Sequence, residues 1–540
     1  MKTPDRLRSL MIAVAIAVLS SIAPIGSKAD DIEFPNADGS WRILSPAAWS
    51  PHDVPATNTA NRAKFVSSSQ ATYIVDMDGS LNGMYIDYDA NWNSRVYTFC
   101  FENNAKLAIG DRIEGGSRWA GAPGNYPGWC TIRFDGGDVD FGGNTLLKGT
   151  DQAYWLKIIF NGCTVTNMDN MWMTQYGHNC LAISNSAVWI NRVLMPGYSV
   201  GPIDTRLFIG GGSKVSAGQF TMSRSYTGGK ISAHTDGLPL VDIGGPGTEV
   251  VFRGDANTDY RYDDLDADVN NGYSLLASHG SGEIFRIGDG AKVTVKNRAI
   301  IGVKQGANNR VVVEGEGTEL AMGDFAFAWR GNAESGSSNN YIVVRDGGSL
   351  VAGLALYYSG CGSDNGIICS NGTVSVIGTN YDNANNRLTY RMQGDNPSVR
   401  FIIGNDTDFN RRLTCGINWV FDLPVSGYRE GCVPFRFECQ QMLKENANSS
   451  LLTCAINGLP DFCADMKVKD EQKREVVLIS GGSFAEWGGH SRVKYDEAVA
   501  RWNDELQAIV PNGFSAELVQ SGTKVTLKVK QCRGMVMVVK

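Results

Sequence analysis

Residues 309–323 read NRVVVEGEGTELAMG. Apolar residues alternate up to a glycine-rich break, a small residue follows, and the alternation resumes. The phrase returns as EIFRIGDGAKVTVKNRAIIG at 283–302, NYIVVRDGGSLVAG at 340–353 and NGIICSNGTVSVIG at 365–378. Period-two alternation marks strands with one buried face. Glycine supplies the positive φ of a tight turn, and asparagine tolerates it. The break recurs at Gly162-Cys163, Asn185-Ser186, Gly212-Ser213, Gly247-Thr248, Gly290-Ala291, Gly317-Thr318, Gly348-Ser349 and Gly372-Thr373, at intervals of 23, 27, 35, 43, 27, 31 and 24 residues. A unit this short cannot bury its apolar face alone, whereas stacked units can. Propeller blades run roughly 40–50 residues, longer than most of these intervals. The pattern therefore predicts an all-β chain built on a right-handed parallel β-helix, the hand following the general preference of parallel crossovers. The longer intervals read as insertions.

Residues 1–29 read as a secretory signal. Lys2, Arg6 and Arg8 precede an apolar run at 10–23, and Ser27-Lys28-Ala29 forms a small-x-small cleavage site. The apolar run is too short to span a bilayer comfortably. Removing the segment takes away four basic residues (Lys2, Arg6, Arg8, Lys28) and one acid (Asp5), moving the net charge from −7 to −10. No other stretch approaches a transmembrane span, so no membrane-crossing segment is expected after cleavage. An acidic chain with no concentrated basic patch argues against nucleic acid as a partner. An oxidising compartment permits disulfides among the twelve cysteines, five of which crowd between Cys415 and Cys463. No C-x-x-C pair points to zinc instead.

Four regions follow: the signal at 1–29, an N-terminal cap and first rungs at 30–151, rungs at 152–404 with an acidic insertion near 253–275, and a cysteine-containing α+β domain at 405–540. Trp41, Trp49-Ser50, Val54-Pro55 and residues 60–65, followed by an alternating strand, resemble the opening of autotransporter-like β-helix surface proteins of bacteria. The G-[AST]-x-[VL]-x-[VA] phrase is similar to their passenger repeats, and the likeness covers most of 40–404. It implies a secreted or surface location and a structural or adhesive role. The chain departs from that family in lacking a translocator barrel, which needs at least eight alternating strands of about 9–11 residues.

In the tail, residues 495–510 (YDEAVARWNDELQAIV) predict a helix with Tyr495, Ala498, Val499, Trp502, Leu506 and Ile509 on one face, ended by Pro511. Residues 513–530 predict a hairpin turning at Ser521-Gly522. Together they would cap the open end of the solenoid.

The densest chemistry lies in residues 255–272, DANTDYRYDDLDADVNNG. Asp259, Asp263, Asp264 and His279 are similar to the N-T-D, D-D and G-H-G signatures of polygalacturonase-like glycoside hydrolases. There two carboxylates serve as acid and base, about 6.5–9.5 Å apart for inversion. Asp259 and Asp263 are only four residues apart, whereas carboxylates on adjacent rungs should lie about one rung apart. Asp264, Asp266, Asp268 and Asn270 alternate as oxygen ligands of one Ca²⁺ would, but the glycine and glutamate of an EF-type loop are replaced by Val269 and Leu275. A solvated acidic loop explains the run as well. Asp135, Asp138 and Asp140 read as outward carboxylates of a strand–turn–strand. No G-x-S-x-G, H-E-x-x-H or phosphate loop is present.

Twelve tryptophans include Trp92, Trp119, Trp129, Trp155, Trp172 and Trp189 in the first third. Such rings either pack in the core or stand on the flank and stack on sugars. Two functions follow. One is a structural or adhesive surface protein contacting polysaccharide or neighbouring surface proteins. The other is a polysaccharide-active enzyme, hydrolase or lyase, using the acidic insertion.

Overall fold

The computed structural model describes residues 32–34, 39–42, 63–65, 70–86, 95–110, 113–115, 117–118, 130–143, 153–154, 156–172, 179–195, 206–221, 238–255, 274–277, 281–303, 307–329, 338–357, 365–377, 380–382, 387–402, 416–438, 452–481, 495–521 and 524–532. It is a β-solenoid. Fifteen strands, from Gly39–Arg42 to Leu452–Asn457, form one parallel sheet in strictly sequential rung order. A second sheet, built from the alternate strands, closes the core from the other side.

Register explains why the repeat folds this way. Each interior residue pairs with its counterpart one rung on, as in Phe134↔Phe160↔Ile183↔Ile209. Parallel strands lie about 4.8 Å apart, so like side chains pile directly on one another. Where the row is aromatic the rings stack, with Tyr73–Phe99 at 5.0 Å, Phe99–Phe134 at 5.2 Å and Phe134–Phe160 at 5.3 Å between centroids. All four rings are buried. The facing row on the second sheet is aliphatic, running Val165↔Val188↔Val215↔Val250↔Val293↔Leu320.

The repeated small residue has a structural role of its own. Cys163, Ser186, Ser213, Thr248 and Thr318 are all buried at the turn between the two sheets. Each serine or threonine hydroxyl accepts from a backbone N–H one rung earlier. Cys163 N–H donates to Ser186 Oγ (3.0 Å), Ser186 N–H to Ser213 Oγ (3.2 Å) and Gly290 N–H to Thr318 Oγ1 (2.9 Å). Ser213 Oγ in turn donates to Gly210 O and Thr248 Oγ1 to Gly244 O. Turn amides that would otherwise be orphaned inside the stack are thus satisfied. In the two rungs at Gly348 and Gly372 the residue at this position is one place earlier than the sequence phrase implies. Gly348 and Gly372 are buried, and Ser349 and Thr373 begin the next strands. A Cβ on Gly348 would lie 2.4 Å from Val313 O, and on Gly372 2.8 Å from Val344 Cγ1, so those turns have no room for a side chain.

At the entry to the first sheet, an asparagine ladder does the equivalent work. Asn309, Asn340 and Asn365 are fully buried. Glu283 N–H donates to Asn309 Oδ1 (2.9 Å), Asn309 N–H to Asn340 Oδ1 (3.1 Å) and Asn340 N–H to Asn365 Oδ1 (2.9 Å). The long strands of the second sheet carry register shifts midway, at Ile190/Val193 and Val295/Arg298.

The parallel pairing runs on past residue 404, through Gly416–Asp422 to Leu452–Asn457. Among the described residues, two helices and a hairpin then follow and form a cap. Helix Leu459–Val468, which sequence reading did not single out, starts on Leu-Pro with Pro in its first turn. Helix Tyr495–Gln507 buries Ala498, Val499, Trp502 and Leu506, and Trp502 meets core Trp419 edge-on at 5.7 Å. Ile509, expected on that face, lies past the helix end and is exposed. Strands Phe514–Ser521 and Lys524–Gln531 form the expected hairpin, with Ala516, Leu518, Val525, Leu527 and Val529 buried. The hairpin pairs antiparallel with Lys473–Gly481 and so terminates the second sheet.

Outer rows of the long sheet carry ion pairs between rungs. Asp422 accepts from Arg391 Nε (2.6 Å), Gln393 Nε2 (2.7 Å) and Asn457 Nδ2 (2.7 Å). Burial alone would raise its pKa, but the hydrogen bonds from Arg391, Asn457 and Gln393 outweigh that and hold it below the ordinary carboxylate value.

Phe134→Ala should lower stability by about 3–5 kcal/mol, because it opens a cavity between two stacked rings. The check is the unfolding midpoint by circular dichroism. A depressed carboxylate stabilises above its unfolded pKa, and the gain disappears as pH falls through the folded pKa. Asp422→Asn should therefore unfold at lower temperature than the native chain at pH 7, and the gap should close as the pH is taken below about 4.

Candidate functional site

Asp259, Asp263, Asp264, Asp266, Asp268, Asn270 and His279 lie outside the described residues. Among the described residues, no three His, Cys, Asp or Glu side chains are grouped so as to hold a metal ion, and no helix is long and apolar enough to cross a membrane. Asp135 and Asp140 have structural partners. Asp135 accepts from Arg133 and Asn161. Asp140 accepts from the Gly142 amide and Asn167 and pairs with Lys106 at 2.8 Å. Cys163, Cys369, Cys454 and Cys463 are buried free thiols. Cys163 occupies a ladder position and donates to Phe134 O and Gly136 O at 3.2 Å. Burial pushes its thiol up to about 11, which leaves it unreactive at neutral pH.

The tryptophans divide. Trp419 and Trp502 are core, with 0% and 1% exposure, whereas Trp189 is 48% exposed. The side chains of Trp92, Trp119, Trp129, Trp155 and Trp172 are outside the described residues. Trp189 lies in strand Ala187–Met195, where Val188 and Ile190 point inward. Alternation then turns the indole outward.

Arg253 holds that indole from beneath. It follows strand Glu249–Phe252, and its own N–H and that of Gly254 stay bonded to Ala217 O (2.9 Å) and Gly218 O (2.8 Å). The guanidinium carbon is 4.2 Å from the indole centroid. Nε donates to the Asp255 carboxylate at 2.9 Å, one terminal nitrogen to Ser216 Oγ at 2.9 Å, and the other to Ile190 O (3.1 Å) and Asn191 O (2.9 Å). The Trp189 indole N–H donates to Asn191 Oδ1 at 3.1 Å. Strand register sets Trp189 beside Ser216 and Ser216 beside Val251, so three rungs converge on one ring. The arginine side chain is only 12% exposed. Ring and guanidinium thus form a stack, with Arg253 against the indole while Trp189 keeps 48% of its surface exposed. A cation over an aromatic face at this distance is attractive, and the assembly presents a rigid π surface to solvent.

Sequence reading named Trp189 among the tryptophans but could not single it out. Parity counted from buried Ser186 places it outward. Arg253, more than sixty residues away, carries no local signal.

No protein-family model, no curated protein and no solved structure matches the chain.

Arg253→Ala removes the cation and leaves Ile190 O and Asn191 O without their donor. Stability should fall by roughly 1–3 kcal/mol, and Trp189 should lose its fixed orientation. Loss of the Trp189 contribution from the near-ultraviolet circular dichroism difference spectrum, taken against Trp189→Ala, is the check.

Proposed function

We propose that this chain is a secreted or cell-surface β-helix protein with a structural or adhesive role that contacts glycans. In this reading it resembles an autotransporter passenger. The observation that supports it is the Trp189–Arg253 stack. Single exposed apolar residues are common on protein surfaces, but a surface tryptophan need not be fixed. Here an almost buried arginine and four hydrogen-bonding partners immobilise one, which is the preorganisation that binding rewards. The signal-like pattern at 1–29 supports an extracytoplasmic location.

The test uses secreted-form protein, residues 30–540, on affinity gels containing acidic or neutral polysaccharides, with and without Ca²⁺. New reducing ends and unsaturated products are followed in parallel. Retention without turnover is the expected result. Sustained turnover abolished by Asp259→Ala or Asp264→Ala would overturn it in favour of a polysaccharide hydrolase or lyase working from the acidic insertion.

A further inference from the structure

We propose that the outward face of Trp189 is a subsite for one pyranose ring of a neutral polysaccharide. The inference rests on the glycan-contact reading and names the chemistry of that contact.

Shape comes first. The buried face of the indole is covered by a guanidinium with 12% exposure, while the tryptophan itself keeps 48%. The exposed surface therefore includes part of an aromatic ring held against a cation. Its neighbours along the outer row are small, Ser216 and then Val251 and Thr294. A protein partner needs a wider contact, about 800 Å² per side with a central apolar cluster. An apolar small molecule needs a concave pocket that encloses most of it. A pyranose fits neither description: it has a face of C–H groups and a rim of hydroxyls. The C–H face can lie on the π surface, whose negative quadrupole attracts polarised hydrogens, while the rim stays in water.

Charge decides between neutral and acidic sugars. Uronates would need an available cation. The Arg253 guanidinium is already neutralised by Asp255 and donates to Ser216, Ile190 and Asn191. Lys214, one rung from Trp189, is closed in a 2.6 Å pair with Glu249. The chain as a whole carries a net charge of −7, which repels polyanions at long range. Among the described residues beside the ring, neither Arg253 nor Lys214 is left to take a uronate, and a neutral sugar is the occupant proposed.

A single stacking contact is weak, so a polymer, which can rebind along its length, should be retained where a monosaccharide is not. The experiment compares native protein, Trp189→Ala and Trp189→Phe on gels containing soluble β-glucan, galactomannan, polygalacturonate or alginate. Thermal unfolding of each variant shows that the fold is kept. The expected result is retardation of the native chain by at least one neutral polymer and by neither acidic one. Trp189→Ala should bind about tenfold more weakly or worse, the loss of roughly 1.4 kcal/mol. Trp189→Phe should fall between. If Trp189→Ala is retarded as strongly as the native chain, the subsite is wrong while the adhesive reading stands. Retardation by the acidic polymers alone overturns the choice of neutral sugar. If no polymer retards the native chain, the subsite and the adhesive reading both fall.

Discussion

Each strand of this solenoid carries its interior side chain at the same place in the rung as the strand before it. Everything else follows from that register. A ring at Phe134 has rings at Phe99 and Phe160 for its neighbours, so its packing is set by the rungs on either side. Cores packed to crystal-like density leave little slack for a mismatch. The chain therefore keeps its rows uniform over long runs, aromatic toward the N-terminal rungs and aliphatic in the middle. The same register aligns polar groups. The hydroxyl ladder from Ser186 and the amide ladder from Asn309 stand at two corners, where backbone donors would otherwise be buried without partners.

Stacked parallel strands leave an open edge, and exposed edges invite pairing with other chains. At the C-terminal end the hairpin Phe514–Gln531 turns the second sheet antiparallel, and Trp502 packs on Trp419. The amide side chains of Asn503 and Gln507 then tie the helix to strand Phe514–Ser521 through Leu518 and Ala516. The cap is thus joined to the last rungs by the same core, and not merely laid over them.

Much of this was legible in the sequence because alternation and turn residues are local. The solenoid, the hairpin and the helix at Tyr495 all announce themselves within windows of fifteen or twenty residues. Two errors were also local. Asp346-Gly347-Gly348 offers two glycines for one turn, and only the Cβ clearance at Gly348 decides between them. Ile509 continues the helical stripe, but the helix ends at Gln507 before reaching it. The candidate site was harder to read. Trp189 could be placed outward by parity, but what fixes it comes from two other rungs, and contacts across 62 or 63 residues leave no pattern in the chain. The crowded tail cysteines could not be read further than as disulfides or buried thiols, and Cys454 and Cys463 are buried free thiols, while Cys415 and Cys439 lie outside the described residues.

Because Asn309 and Asn340 occupy equivalent places, as do Val313 and Val344, the stretch between them is a self-contained unit of heredity. Duplicating one whole unit would repeat Asn309, Val313 and Thr318 together and so keep every row and both ladders continuous. A gain or loss inside a paired strand, by contrast, would shift the side chains after it in that strand off their rows. Solenoid length can thus vary by whole steps in descent, and a lineage can change the reach of this protein without first solving a new core.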